Sequence, residues 1–201
     1  MRVAVIKYNA GNIQSLLFTL ARIEGLEVLV SDRAEVIQGA DKVIFPGVGE
    51  ASSAMESLRA AQLDRIIRDL RQPFLGICLG MQLMSRKSEE NETTCLDIFE
   101  GEVKKFEAVS AAEGLALKVP HMGWNKLTNL RGDLFAKVAE GSFAYFVHSY
   151  YAALTVDTIA TCSHGEAFSA ALQKGNYYGV QFHPEKSAET GLQILKNFLA
   201  L

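Results

Sequence analysis

Short apolar runs alternate with stretches of helical periodicity through the first part of the chain. Arg2 to Ile6 is a β-rich run. Apolar side chains then recur at Ile13, Leu16, Leu17, Leu20 and Ile23, the spacing of one helix face, with Asn12 in position to cap it. Leu26 to Val30 and Lys42 to Phe45 read as further buried strands. Pro46-Gly47-Val48-Gly49 reads as a turn closing the second, and Ala51 to Leu70 as helix in two pieces. Phe74 to Ile77 is the next strand. Strands interleaved with amphipathic helices predict a parallel α/β sheet.

The texture changes after Ser85. Arg86 to Thr94 is polar and reads as an exposed loop. The segments 103–106, 115–119, 143–147, 158–162, 168–172 and 177–182 follow as strands with few helices between them, which predicts antiparallel pairing. A last helix carries Leu192, Leu195, Phe198 and Leu199 on its apolar face. The expected fold is α/β: a mixed, mainly parallel central sheet with flanking helices and added antiparallel strands, forming a single domain over residues 1–201.

Composition narrows the function classes. With 49% apolar and 21% charged residues in a 201-residue chain, a sizeable core is expected and disorder is not. The net charge of −3 comes with no basic stripe, which argues against nucleic acid as a partner. No apolar run is long enough to span a bilayer, and the N-terminal run breaks too early for a signal peptide, so no membrane partner is expected. Three widely spaced cysteines, Cys78, Cys95 and Cys162, fit a reducing, cytoplasmic setting better than a disulfide framework. The absence of paired ligand spacings predicts no metal and no cofactor.

The most informative residues are Gly76-Ile77-Cys78-Leu79-Gly80. They fall between a strand and a helix start, so the cysteine sits on a sharp corner flanked by residues small enough to let the backbone bend. Unpaired N–H groups at the helix start favour a thiolate there. A nucleophile needs a base and a group to orient it. In Gln181-Phe182-His183-Pro184-Glu185, the proline keeps His183 extended, and residues two apart in extended chain share a side, so Glu185 can orient His183 toward Cys78. The N–H of Leu79 and the backbone of Gly47-Val48-Gly49, centred on Val48, are the natural donors for an oxyanion. Cys95 and Cys162 read as small core hydrophobes, and His121, His148 and His164 as structural histidines.

Gly76-Ile77-Cys78-Leu79-Gly80-Met81-Gln82, with His183-Pro184-Glu185 far downstream, resembles the class I glutamine amidotransferases over essentially the whole chain. The resemblance implies glutamine as substrate, Cys78 as nucleophile, His183 as acid and base, and Glu185 as its orienter. It also implies Gly47, Gly49, Gln82 and the segment His148-Ser149-Tyr150 as glutamine-site positions. Tyr8 to Ser15, Pro46 to Gly49 and Pro120-His121-Met122-Gly123-Trp124-Asn125 together resemble the glutaminase subunits of imidazole glycerol phosphate synthases. Lys7 and Asn9 depart from that pattern, which has an acidic residue and a glycine there. That resemblance implies a heterodimer with a (β/α)8-barrel cyclase that receives the ammonia, touched by Asn12, Pro120, Met122, Trp124 and Lys186. One glutaminase domain uses the whole chain, which also predicts a separate acceptor. Trp124 is expected in a polar turn, within reach of a cation–π contact from Lys186.

Three other readings compete. A glutaminase serving another synthase (GMP, anthranilate, aminodeoxychorismate or pyridoxal phosphate) would keep the triad but not the Pro120–Asn125 segment. A non-catalytic binding module would be expected to lack part of the Cys/His/Glu set. A cysteine hydrolase or chaperone on a related fold would not need His-Pro-Glu after the last strand.

Overall fold

The computed structural model describes residues 1–8, 13–107 and 117–201. In chain order the first elements are β1 (Arg2–Ile6), α1 (Gln14–Leu20), β2 (Glu27–Ser31), α2 (Ala34–Gln38), β3 (Lys42–Gly47), α3 (Ala51–Ala60), α4 (Leu63–Asp69), β4 (Phe74–Cys78) and α5 (Leu79–Gln82). They are followed by the short strands β5 (Lys87–Ser88) and β6 (Thr93–Thr94), then β7 (Glu102–Lys105), β8 (His121–Lys126), β9 (Phe143–His148) and β10 (Tyr150–Ala152). β11 (Thr158–His164), β12 (Glu166–Lys174), β13 (Tyr177–Val180) and α6 (Ala188–Ala200) complete the chain.

Seven strands form the central sheet in the order β11-β12-β13-β4-β3-β1-β2. β13, β4, β3, β1 and β2 run parallel, whereas β11 and β12 are added antiparallel at one side. The side chains of each strand alternate between two cores. Val3, Val5, Ile44, Leu75 and Ile77 pack with α1 and α6 through Leu16, Leu20, Ile194, Leu195 and Phe198. Ala4, Ile6, Val43, Phe45 and Phe74 pack with α3 and α4 through Met55, Leu58, Leu63 and Ile67. Burial on both faces explains why these strands read as unbroken apolar runs. A second sheet, β10-β7-β5-β6, and the two-stranded ribbon β8-β9 complete the architecture.

The parallel-then-antiparallel plan matches the sequence expectation, with local differences. α2 was not expected; it is short and buries only Ile37. The polar segment 86–94 contains β5 and β6 and buries Ser88 and Thr93, so it is not simply an exposed loop. Of the expected strand 115–119, residues 117–119 are not strand and 115–116 lie outside the described residues, as does Asn12, the expected helix cap. Pro120–Asn125 is not a polar turn, because His121–Lys126 pairs antiparallel with Phe143–His148 along its whole length. The alternation of that strand buries His121 and exposes Met122 and Trp124, at 63% and 53%. Among the described residues no helix is long and apolar enough to cross a membrane.

Candidate active site

Cys78 is the last residue of β4, paired with Gly47 at the end of β3. Its backbone has φ 53° and ψ −111°, outside the regions an L-residue favours, so the chain turns abruptly there into α5. The flanking glycines make that turn possible. A β-carbon on Gly80 would collide with the backbone carbonyl of Phe45 on β3, and one on Gly76 would lie 2.6 Å from the sulfur of Met84. Glycine therefore lets α5 lie directly against the sheet and hold the cysteine at the corner.

β13 lies beside β4, with Val180 opposite Ile77, so the residues after β13 arrive next to the corner. His183 is buried and extended, at φ −98° and ψ 99°. The residues after it form a 3-10 turn, Pro184–Lys186, and this turn, not an extended strand, brings Glu185 back to His183. Nδ1 of His183 and Oε1 of Glu185 are 2.8 Å apart. A carboxylate accepts only, so Nδ1 carries the hydrogen. Among the described residues, Nε2 of His183 is buried without a hydrogen-bond partner. Burial works against the imidazolium, but the adjacent Cys78 sulfur and the Glu185 carboxylate outweigh it, and the pKa is raised to about 10.

The turn is clamped to the β8-β9 ribbon. The His183 N–H donates to the Tyr145 carbonyl at 2.9 Å. The Ser187 hydroxyl donates to the His183 carbonyl at 2.7 Å and accepts from the Tyr145 N–H at 2.9 Å. The position of the imidazole is thus fixed at backbone and side chain together.

A cleft of about 360 Å³ opens over the cysteine, bounded by Val48, Gly49, Cys78, Leu79, Gln82, Glu90, Pro120 and the segment Val147–Tyr150. It gathers most of the expected glutamine-site positions. Gly47 is buried instead, so close to Tyr8 Oη and the N–H of Gly80 that a β-carbon there would clash with both. The Gln82 amide donates to the Tyr150 carbonyl at 2.7 Å and to Gln181 Oε1 at 2.9 Å, so its nitrogen is committed to the wall of the cleft.

Glu90 is a cleft residue that sequence reasoning missed. It lies in the stretch read as an exposed loop, and only the pairing of β5 with β6 and β7 folds that stretch back over the site. Oε2 of Glu90 accepts from the Ala51 N–H at the start of α3, at 2.8 Å. Burial raises its pKa, the Ala51 bond opposes the rise and neighbouring Glu50 adds to it.

The model for class-I glutamine amidotransferases matches residues 5–201. The chain belongs to the class-I glutamine amidotransferases. Among curated relatives, this amidotransferase is 53% identical over 201 residues to the imidazole glycerol phosphate synthase subunit HisH of Bacteroides fragilis (strain YCH46), covering 100% of both chains. It is 44% identical over 203 residues to the HisH subunit of Salmonella typhimurium, again covering 100% of both. A solved glutamine amidotransferase structure superposes with a TM-score of 0.73 at 17% identity, covering 98% of this chain and 97% of that one, which shows the shared fold.

The remaining sequence expectations divide. Cys95 and Cys162 are core residues, and burial pushes both thiols up to about 12. His121, His148 and His164 cluster around Phe106, with His121 stacked on His164 at a 4.2 Å centroid separation. Pro120 lines the cleft, Met122 and Trp124 project from the ribbon, and Asn12 lies outside the described residues. Lys186 does not pair with Trp124. Its Nζ lies 5.9 Å from the Tyr145 ring centre, and Trp124 meets the same ring edge-to-face at 6.0 Å. Tyr145 stands on the strand next to that of Trp124, directly opposite it, and takes the cation.

Proposed function

We propose that the chain hydrolyses glutamine to glutamate and ammonia. It would deliver the ammonia to a (β/α)8-barrel cyclase subunit that makes imidazole glycerol phosphate and AICAR in histidine biosynthesis. The observation that carries the chemistry is the unpartnered Nε2 of a carboxylate-anchored His183 beside a cysteine on a strained corner. Full-length similarity to HisH subunits supports the choice of synthase.

In this reading His183 takes the Cys78 proton, and the sulfur attacks the side-chain amide carbon of glutamine. The C=O electrons move onto oxygen, which the Leu79 and Val48 N–H groups stabilise, each donor worth about 3 kcal/mol. Collapse of this intermediate breaks the C–N bond, and His183 gives its proton to the departing nitrogen, releasing ammonia. His183 then deprotonates a water that attacks the thioester, which expels the thiolate and leaves glutamate. Glu185 keeps the imidazole in the tautomer these transfers need. Glu90, the carboxylate in the cleft wall, holds the substrate's α-ammonium by a charge-assisted hydrogen bond. The ribbon carrying Met122 and Trp124 would face the cyclase, with Pro120 and Lys186 nearby; the sequence resemblance adds Asn12 to these contacts.

The test is glutamate release by the purified chain, alone and with the cyclase and its nucleotide ligand. Release that rises sharply with the liganded cyclase is expected. Equal release in both conditions points to another synthase, and none in either removes the glutaminase reading.

A further inference from the structure

The side chain of Gln181 has no part in the chemistry described above, yet it is fully buried and in contact with the nucleophile. Its Nε2 lies 3.7 Å from Cys78 Sγ. Sheet register explains the contact: β13 runs parallel to β4 with Val180 opposite Ile77, so the next residues, Gln181 and Cys78, arrive side by side.

The orientation of the amide follows from its neighbours. The Tyr150 carbonyl can only accept, so the nitrogen of Gln82 must face it, at 2.7 Å. The same nitrogen lies 2.9 Å from Gln181, which must therefore present its oxygen to Gln82. The Gln181 nitrogen is left facing the sulfur. A second acceptor, the Val147 carbonyl, lies 3.9 Å from Sγ on the other side and suits the protonated thiol. The thiol can thus donate to Val147, whereas the thiolate cannot and must accept. Gln181 is a side-chain donor in place for it, in addition to the His183 imidazolium. Hydrogen bonds to an ionised acceptor are roughly twice as strong as neutral ones, so this contact favours the anion over the thiol.

We propose that Gln181 is a catalytic residue that stabilises the Cys78 thiolate by donating its amide N–H to the sulfur, with Gln82 fixing the direction of the donor. The inference rests on the reading of Cys78 as nucleophile. The other titratable groups facing Cys78 are His183 with Glu185 behind it, the buried Tyr8 hydroxyl beneath the corner, and Glu90 and His148 across the cleft.

The experiment is the rate of Cys78 alkylation by iodoacetamide from pH 5 to 10 in the full chain, with the modified peptide identified by mass. It reads the thiolate without requiring glutamine turnover. Gln181→Met keeps the length of the side chain and removes the donor. Its alkylation profile is expected to move to higher pH, slowing the reaction about threefold on the acid side, where the loss of thiolate is partly offset by the greater nucleophilicity of a more basic sulfur. A profile that superposes on the parent's overturns the proposal. If Gln181→Met fails to fold, Gln82→Met frees the Gln181 amide to turn; a smaller shift in the same direction supports the proposal and an unchanged profile overturns it. Should Cys78→Ala still release glutamate while the Gln181→Met shift is present, the glutaminase assignment of Cys78 fails and the thiolate contact stands.

Discussion

His183 and Glu185 meet across a single proline, with 2.8 Å between Nδ1 and Oε1, because the chain turns into a 3-10 bend directly after His183. The carboxylate does two things at once. It opposes the burial that would neutralise the ring, and it leaves Nε2 as the only ring nitrogen free to exchange a proton.

Glu185→Gln keeps the shape and removes the charge. The imidazole pKa is expected to drop from its raised position, and glutaminase kcat to fall roughly 10³-fold with little change in KM. Steady-state kinetics in the presence of the liganded cyclase measure both. A loss confined to KM would mean that Glu185 binds substrate and does not orient the base.

The corner at Cys78 makes an unusual stability order. In an ordinary strand or helix, alanine is more stable than glycine. At φ 53° and ψ −111° the order should reverse, with Cys78→Gly more stable than Cys78→Ala by about 1–2 kcal/mol, because only glycine escapes the strain. Both variants should lack glutamate release. Urea unfolding with unchanged slope reads the difference, and alanine matching glycine would show that the corner stores no strain.

Glu90→Gln retains an acceptor for the Ala51 N–H, so the start of α3 stays capped. What it loses is the charge opposite the proposed ammonium. KM for glutamine should rise about 10- to 100-fold, the loss of one charge-assisted hydrogen bond, while kcat changes less. Isothermal titration of glutamine onto the Cys78→Ala background checks it without turnover. Unaltered affinity would place the ammonium elsewhere.

The histidines beneath the cleft predict an acid sensitivity. The bonds fix their tautomers: the Tyr150 carbonyl accepts from His148 Nδ1 at 2.7 Å, so His148 Nε2 accepts from His121 Nδ1 at 3.0 Å. His121 Nε2 in turn accepts from the Asn125 amide at 3.1 Å. Burial lowers the pKa of His121 to about 4, with His164 adding to it. Burial also takes His148 to about 3, against the Tyr150 bond. Unfolded histidine titrates near 6.5. Between about pH 6.5 and 4 the unfolded chain therefore binds protons the folded chain does not, and stability falls as pH drops through that window. The slope is up to about 1.4 kcal/mol per pH unit for each histidine. His183, shifted the other way, adds no slope below pH 6.5 because it is protonated in both states. His121→Gln should cut the acid slope of urea midpoints nearly in half, and a parallel slope would dissociate these rings from acid stability.

The parallel half of the fold was legible because its strands are buried on both faces and stand out as apolar runs, as in Val43, Ile44 and Phe45. The cysteine corner was legible because its glycines answer a steric demand visible in the spacing alone. The ribbon was not. Pro120, Gly123 and Asn125 are turn-forming residues one by one, and only the opposite strand, 143–148, shows that the segment is extended. Glu90 was hidden for a related reason: a polar stretch reads as solvent-exposed until pairing folds it over a cleft. The Lys186 contact was misassigned because Tyr145, remote in sequence, is brought between the lysine and Trp124 by that same ribbon.

The placement of β13 between β4 and β12 has a consequence for the newborn protein. A chain leaving the ribosome presents the Cys78 corner early, with β3 and β4 already able to pair. The strand that leads to Gln181 and His183 is made about a hundred residues later and must slot into the middle of the sheet. Until it does, the cysteine has neither His183 nor Gln181 beside it. On the proposed reading of Cys78, nascent molecules are therefore expected to be silent toward glutamine until that insertion completes the sheet.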